Sequence, residues 1–101
     1  MSTDLVIEKK KTTSRKIEQP KKYKVVICND DVTPMDFVVM LLVSMFRHSE
    51  QSAVDITMTV HKTGSGIAGI YSHEIAEQKT IDAIQLSRSN GWPLIIKVEE
   101  A

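Results

Sequence analysis

Between residues 23 and 47 the apolar pattern changes its period across one short polar break, and this switch limits the fold more than any other feature of the 101-residue chain. Tyr23, Val25 and Ile27 alternate with Lys24, Val26 and Cys28 in a run rich in β-branched residues, which is the two-residue period of a strand. Asn29-Asp30-Asp31 stops that run. Thr33-Pro34-Met35-Asp36 then has the composition of a helix start, with Thr33 to cap free N–H groups, Pro34 suited to the first turn and Asp36 completing a capping-box arrangement. Beyond it Met35, Val38, Leu42 and Met45 recur at steps of three and four within a run reaching Arg47, so they share one helical face.

The remaining punctuation extends the same logic. Ser49 can cap a second helix reaching about His61, with Gly64 and Gly66 ending it and Thr57 one turn before His61. Ile67 to Tyr71 reads as a second strand, and Ser72 with Glu74 opens a third helix that stops at Asn90-Gly91. Pro93 follows, then Leu94 to Val98 as a last strand. The order β-α-α-β-α-β predicts an α+β fold, a small three-stranded antiparallel sheet packed against three helices. At 42% hydrophobic residues, a chain of this length supports one domain with one core.

The net charge of zero is a sum of opposites. Residues 1–22 hold seven Lys or Arg against three acids, whereas residues 23–101 hold six against ten. The leader has few large apolar residues and is expected to be a disordered tail, with the folded domain occupying 23–101. A basic tail is also the form of a nucleic-acid arm, but the body lacks the interleaved aromatic and basic surface that binding to nucleic acid requires, and no such partner is expected. The single Cys28 excludes an internal disulfide and a cysteine-based zinc site, and fits a reducing cytoplasm. No apolar run approaches the ~20 residues needed to span a bilayer, so no membrane association is expected.

Taken from their residue types alone, the chemistry-bearing positions stay open. Asn29-Asp30-Asp31 is equally a turn whose side chains bond their own backbone, and His61 near a helix end is equally a residue interacting with the helix dipole. Met35, Val38 and Val60 have the spacing of ordinary core. An enzyme would have to combine Asp30, Asp31 and His61, with His73, as a metal site or acid–base pair. The sequence offers no Gly-rich phosphate loop, no HExxH pair and no nucleophile beside a recognisable base, so no catalytic residue, metal or cofactor is assigned.

The run from Tyr23 to Val38, with its core Asn29-Asp30-Asp31-Val32-Thr33-Pro34-Met35, resembles the strand, loop and helix start of the ClpS adaptor family. Val60-His61, Gly69-Ile70-Tyr71, Glu74-Ile75-Ala76-Glu77, Lys79 and Pro93-Leu94 follow in the family's order, and the resemblance covers roughly residues 22–101. It implies a topology similar to the C-terminal domain of the ribosomal stalk protein. A general protein-interaction domain of that topology is the alternative reading, distinguished by its having no need of Asn29, Asp30 and His61.

The resemblance implies a monomeric, non-enzymatic adaptor that binds the N-terminal residue of substrate proteins and delivers them to a Clp AAA+ unfoldase and protease. Positions Asn29, Asp30 and His61 would hold the free α-amine, which offers three donors and no acceptor. Asp31, Thr33, Met35, Val38, Val60 and Leu94 would wall a pocket for the first side chain, with Met35 as its deformable surface. Where the family typically has Met four residues before the histidine, this chain has Thr57, which implies a wider pocket and a preference relaxed from Phe, Tyr, Trp and Leu toward Ile or Val. Glu74 and Lys79 would contact the N-terminal domain of a ClpA- or ClpC-type ATPase, and the tail would be engaged during hand-over.

Overall fold

A computed structural model describes residues 20–101. The expected tail lies mostly in residues 1–19, outside the described residues. The chain forms β1 (Tyr23–Cys28), α1 (Met35–Phe46), α2 (Glu50–Thr63), β2 (Ser65–Tyr71), α3 (His73–Ser89) and β3 (Ile95–Glu100). The sheet has the order β2-β1-β3 and both pairings are antiparallel. This is the predicted α+β arrangement, three helices and a three-stranded antiparallel sheet.

The period-two pattern of β1 divides the sheet into two faces. Val25 and Ile27 are fully buried and join Ile96 and Ala68 in the core. On the other face Lys24 opposes Glu99, and Ile67 and Ile95 are about half exposed. Val26 on that other face is 5% exposed between Ile67 and Lys97, while the helices pack on the Val25 and Ile27 face. Leu41 and Leu42 of α1 and Ala53 and Val60 of α2 complete the core against it. Along α3 the buried side chains are Ala76, Thr80, Ala83 and Ser87, all small, which lets the helix backbone lie close to the sheet.

Several boundaries differ from the sequence reading. Thr33 does not cap α1: its hydroxyl donates to Asp30 Oδ2, and the N-cap position is Pro34, whose carbonyl accepts from the N–H groups of Phe37 and Val38. The capping-box expectation fails because α1 begins one residue later than it requires, which leaves Thr33 before the N-cap position rather than at it. Ser49 does cap α2, accepting from Ser52 N–H at 3.1 Å. That helix runs two residues past His61, and only Gly64 ends it, at φ 99°, whereas Gly66 belongs to β2. Gly66 is needed there for another reason, since a Cβ would lie 2.9 Å from the Val60 side chain. Finally, Leu94 precedes β3, and Lys22 accepts the Ala101 N–H at 2.9 Å.

One irregularity was not legible. The β1–β2 register shifts between Val25 and Val26, leaving Ala68 as an extra residue in β2. Its carbonyl bonds His48 Nε2, while His48 Nδ1 meets Ser52 Oγ at 3.1 Å, tying the α1–α2 turn to the sheet.

Candidate functional site

The loop from Asn29 to Pro34 is built around one side chain. Asp30 Oδ1 accepts from the backbone N–H groups of Val32 at 2.8 Å and Thr33 at 2.7 Å, and Oδ2 accepts the Thr33 hydroxyl at 2.8 Å. The turn reading of this polar knot is therefore correct as far as Asp30 is concerned. Burial pushes the Asp30 carboxyl up, but the Thr33 and Val32 hydrogen bonds and the positive charge of Arg88 outweigh it and hold the group below the ordinary aspartate value. It carries a fixed negative charge, with one lone pair of Oδ2 beyond those bonds.

Backbone bonding brings the loop to the end of α2. Asn29 N–H donates to Gly64 O at 2.8 Å, and Gly64 N–H donates to Val60 O at 2.9 Å, so Asn29 is anchored to the turn that ends His61's helix. Asn29 and His61 are both exposed. Asn29 and Asp30 lie with His61, more than thirty positions away in the chain, around one small cavity of about 20 Å³.

Its apolar walls come from four segments. Thr33, Met35 and Val38 line it from the loop and α1, Thr57 and Val60 from α2, and Leu94 from the segment before β3. Val38, Val60 and Leu94 are each at most 5% exposed, whereas Met35 is 38% exposed and stands at the rim. The core reading thus suits Val38 and Val60, which serve core and cavity together, and does not suit Met35. Thr57 is 3% exposed and its hydroxyl donates to Ala53 O at 2.8 Å, so what it offers the cavity is a methyl group. Asp31, expected in the wall, is exposed and is not part of the lining.

Arg88 is a contributor that sequence spacing gave no sign of. Its guanidinium donates to Trp92 O at 3.1 Å and Leu94 O at 2.9 Å, which fixes the segment carrying the Leu94 wall and places positive charge toward Asp30.

Glu74 and Lys79 share a shallow cleft on α3 with Ile75 and Asp82. Glu74 is exposed. Lys79 is half-buried: its Nζ donates to Met45 O at the end of α1 at 3.0 Å and lies 5.9 Å and 5.4 Å from the Phe46 and Tyr71 ring centres. Among the described residues no group of three or more His, Cys, Asp or Glu side chains could hold a metal ion, and no helix is long and apolar enough to cross a membrane.

Comparison with known proteins gives this geometry a context. Residues 18–97 match the family described as ATP-dependent Clp protease adaptor protein ClpS. An ATP-dependent Clp protease adapter protein ClpS from Bdellovibrio bacteriovorus is 47% identical over 85 residues, 84% of this chain and 75% of that protein. The protein of the same name from Shewanella pealeana is 40% identical over 99 residues, covering 98% and 97%. Among solved structures, Agrobacterium tumefaciens ClpS2 bound to L-phenylalaninamide superposes with a TM-score of 0.79 at 38% identity, over 82% of this chain and all of that one. With the motif run, the fold and these likenesses in agreement, the chain belongs to the ClpS family of Clp protease adaptors.

Proposed function

We propose that this protein is an adaptor that captures polypeptides by a free N-terminal residue with a bulky apolar side chain and delivers them to an ATP-dependent Clp protease. The observation that carries the reading is the junction of Asn29, Asp30 and His61 with an apolar cavity. An α-ammonium group is a compact donor cluster; an amide oxygen, the remaining lone pair of Asp30 and a neutral imidazole nitrogen accept from it, while the attached side chain turns inward. An acetylated amine has one donor and no charge, so it is rejected. The relative bound to L-phenylalaninamide, an α-amine next to a benzyl group, supports this assignment. A stalk-like interaction domain would need neither the polar ring nor the cavity.

The cavity volume adds a condition. About 20 Å³ accommodates roughly one water molecule, so an aromatic side chain enters only as the wall moves outward. Met35 is the mobile part, exposed at the rim and unbranched, whereas Val38, Val60 and Leu94 are packed into the core. With Thr57 presenting only a methyl, the pocket admits Ile and Val as well as Phe, Tyr, Trp and Leu.

The adaptor acts as a monomer and forms no covalent bond; its second partner is the N-terminal domain of a ClpA- or ClpC-type ATPase, met by Glu74 and Lys79. Glu74 supplies an exposed charge, and Lys79 keeps two donors beyond its bond to Met45. The single free Cys28 suits a reducing cytoplasm. Fluorescent peptides beginning with free or acetylated Phe, titrated with the wild type and with Asp30→Asn, test capture. The free-amine peptide alone should bind, and Asp30→Asn should weaken it; equal binding of the acetylated peptide would refute the assignment.

A further inference from the structure

The seam between α1 and α2 continues beyond the cavity. Glu50, Val54, Thr57 and His61 follow at steps of four, three and four and form one line along α2, and Met35, Val39 and Val43 form the corresponding line along α1. Met35, Thr57 and His61 belong to the cavity at one end of this seam. One helical turn further lies a second, open concavity of about 520 Å³, lined by Asp36, Val39, Met40, Val43, Glu50 and Val54 among others. Met40, Val43 and Val54 are 42%, 39% and 38% exposed, apolar where a solvated helix face would be polar. The two charged residues of the lining, Asp36 and Glu50, are both acids. From Thr57 back to Glu50 the helix covers about 10 Å, the length of about three extended residues.

We propose that this seam receives the third to fifth residues of the captured polypeptide, favouring apolar or basic side chains there over acidic ones. The proposal rests on the adaptor reading above. With the first side chain in the cavity, the second residue crosses the mouth between Met35 and His61, and the chain then meets an apolar strip of matching length. Met and Val side chains give that strip an adaptable surface, which suits substrates of varied sequence. Asp36 and Glu50 attract Lys or Arg and repel Asp or Glu, an effect that weakens with salt because both acids are exposed.

The test uses the full chain, L-phenylalaninamide, and two six-residue peptides with free N-terminal Phe that differ only in carrying Lys-Leu or Glu-Glu at positions three and four. At low salt the Lys-Leu peptide should bind about tenfold more tightly. In the Asp36→Asn, Glu50→Gln double variant that ratio should approach one, with L-phenylalaninamide affinity unchanged. Equal binding of the two peptides by the wild type, with L-phenylalaninamide still bound, would overturn the seam and leave the capture reading standing; no binding of L-phenylalaninamide would overturn both. A wild-type dimer that the double variant disperses in sedimentation would give the groove to a second copy. Changed amide signals at Leu5 to Lys11 in the double variant without peptide would give it to the chain's own leader. Either result overturns the proposal.

Discussion

The cavity and the α3 face are built in opposite ways. The cavity draws its residues from a loop, two helices and the segment before β3, and its polar ring is held by backbone bonds such as Asn29 to Gly64. The α3 face is displayed by one helix, with Glu74 and Lys79 five positions apart and only Lys79 anchored, to Met45. A convergent site couples binding to the stability of the whole domain. A site on one helix can change without disturbing the fold.

Leu94→Ala should expose that contrast most strongly. Leu94 is 1% exposed and walls the cavity, so its truncation should cost about 2–5 kcal/mol of stability and abolish capture of Phe peptides, measured by urea unfolding and fluorescence titration. Asp30→Ala should follow. Removing the acceptor of three hydrogen bonds costs about 1–3 kcal/mol and weakens capture, whereas Asp30→Asn should retain more of the fold than of the binding. Equal losses in both measurements for Asp30→Asn would show that the charge matters only to the loop.

The same carboxylate sets an acid limit. Because its folded titration lies below the unfolded value of about 3.9, the stability it contributes is complete above that value and is lost as pH falls through the folded one. Acid unfolding curves of wild type and Asp30→Asn should therefore converge at low pH. Convergence already at neutral pH would contradict the assignment.

Two smaller effects separate the sites further. Thr57→Met should leave Phe binding nearly unchanged while reducing Ile and Val peptide affinity by about tenfold, or 1.4 kcal/mol; unaltered selectivity would remove Thr57 as its determinant. On α3, Lys79→Met should cost about 1 kcal/mol through the lost bond to Met45, and Glu74→Gln should stay within about 0.5 kcal/mol of wild type. Both should weaken binding of the ATPase N-terminal domain without affecting peptide capture. Loss of peptide binding in Glu74→Gln would mean the two regions are not separable.

Much of the architecture was legible because local periodicity carried it. The alternation at Tyr23 to Ile27, the three- and four-residue steps after Pro34, the Ser49 cap and the Gly64 stop each act within a few residues, and the elements formed where those signals stood. Thr33 shows where local reasoning failed: the helix starts one residue later, with Pro34 at the N-cap, and the Thr33 hydroxyl donates back into the loop to Asp30. The bulge at Ala68 and the Arg88 clasp on Leu94 left no trace in spacing, because their partners lie in segments that meet only after the chain has folded.

The sequence by itself determined the element order, the single core and the residue types available for an amine and an apolar side chain, since these follow from periodicity and composition. Only the tertiary structure decided that Asn29, Asp30 and His61 face one cavity, that Asp31 stands outside it, that Thr57 turns its hydroxyl away, and that Lys79 is tied to α1. The physical reason is that orientation depends on which hydrogen-bond partners and packed neighbours a side chain finds, and those come from distant parts of the chain.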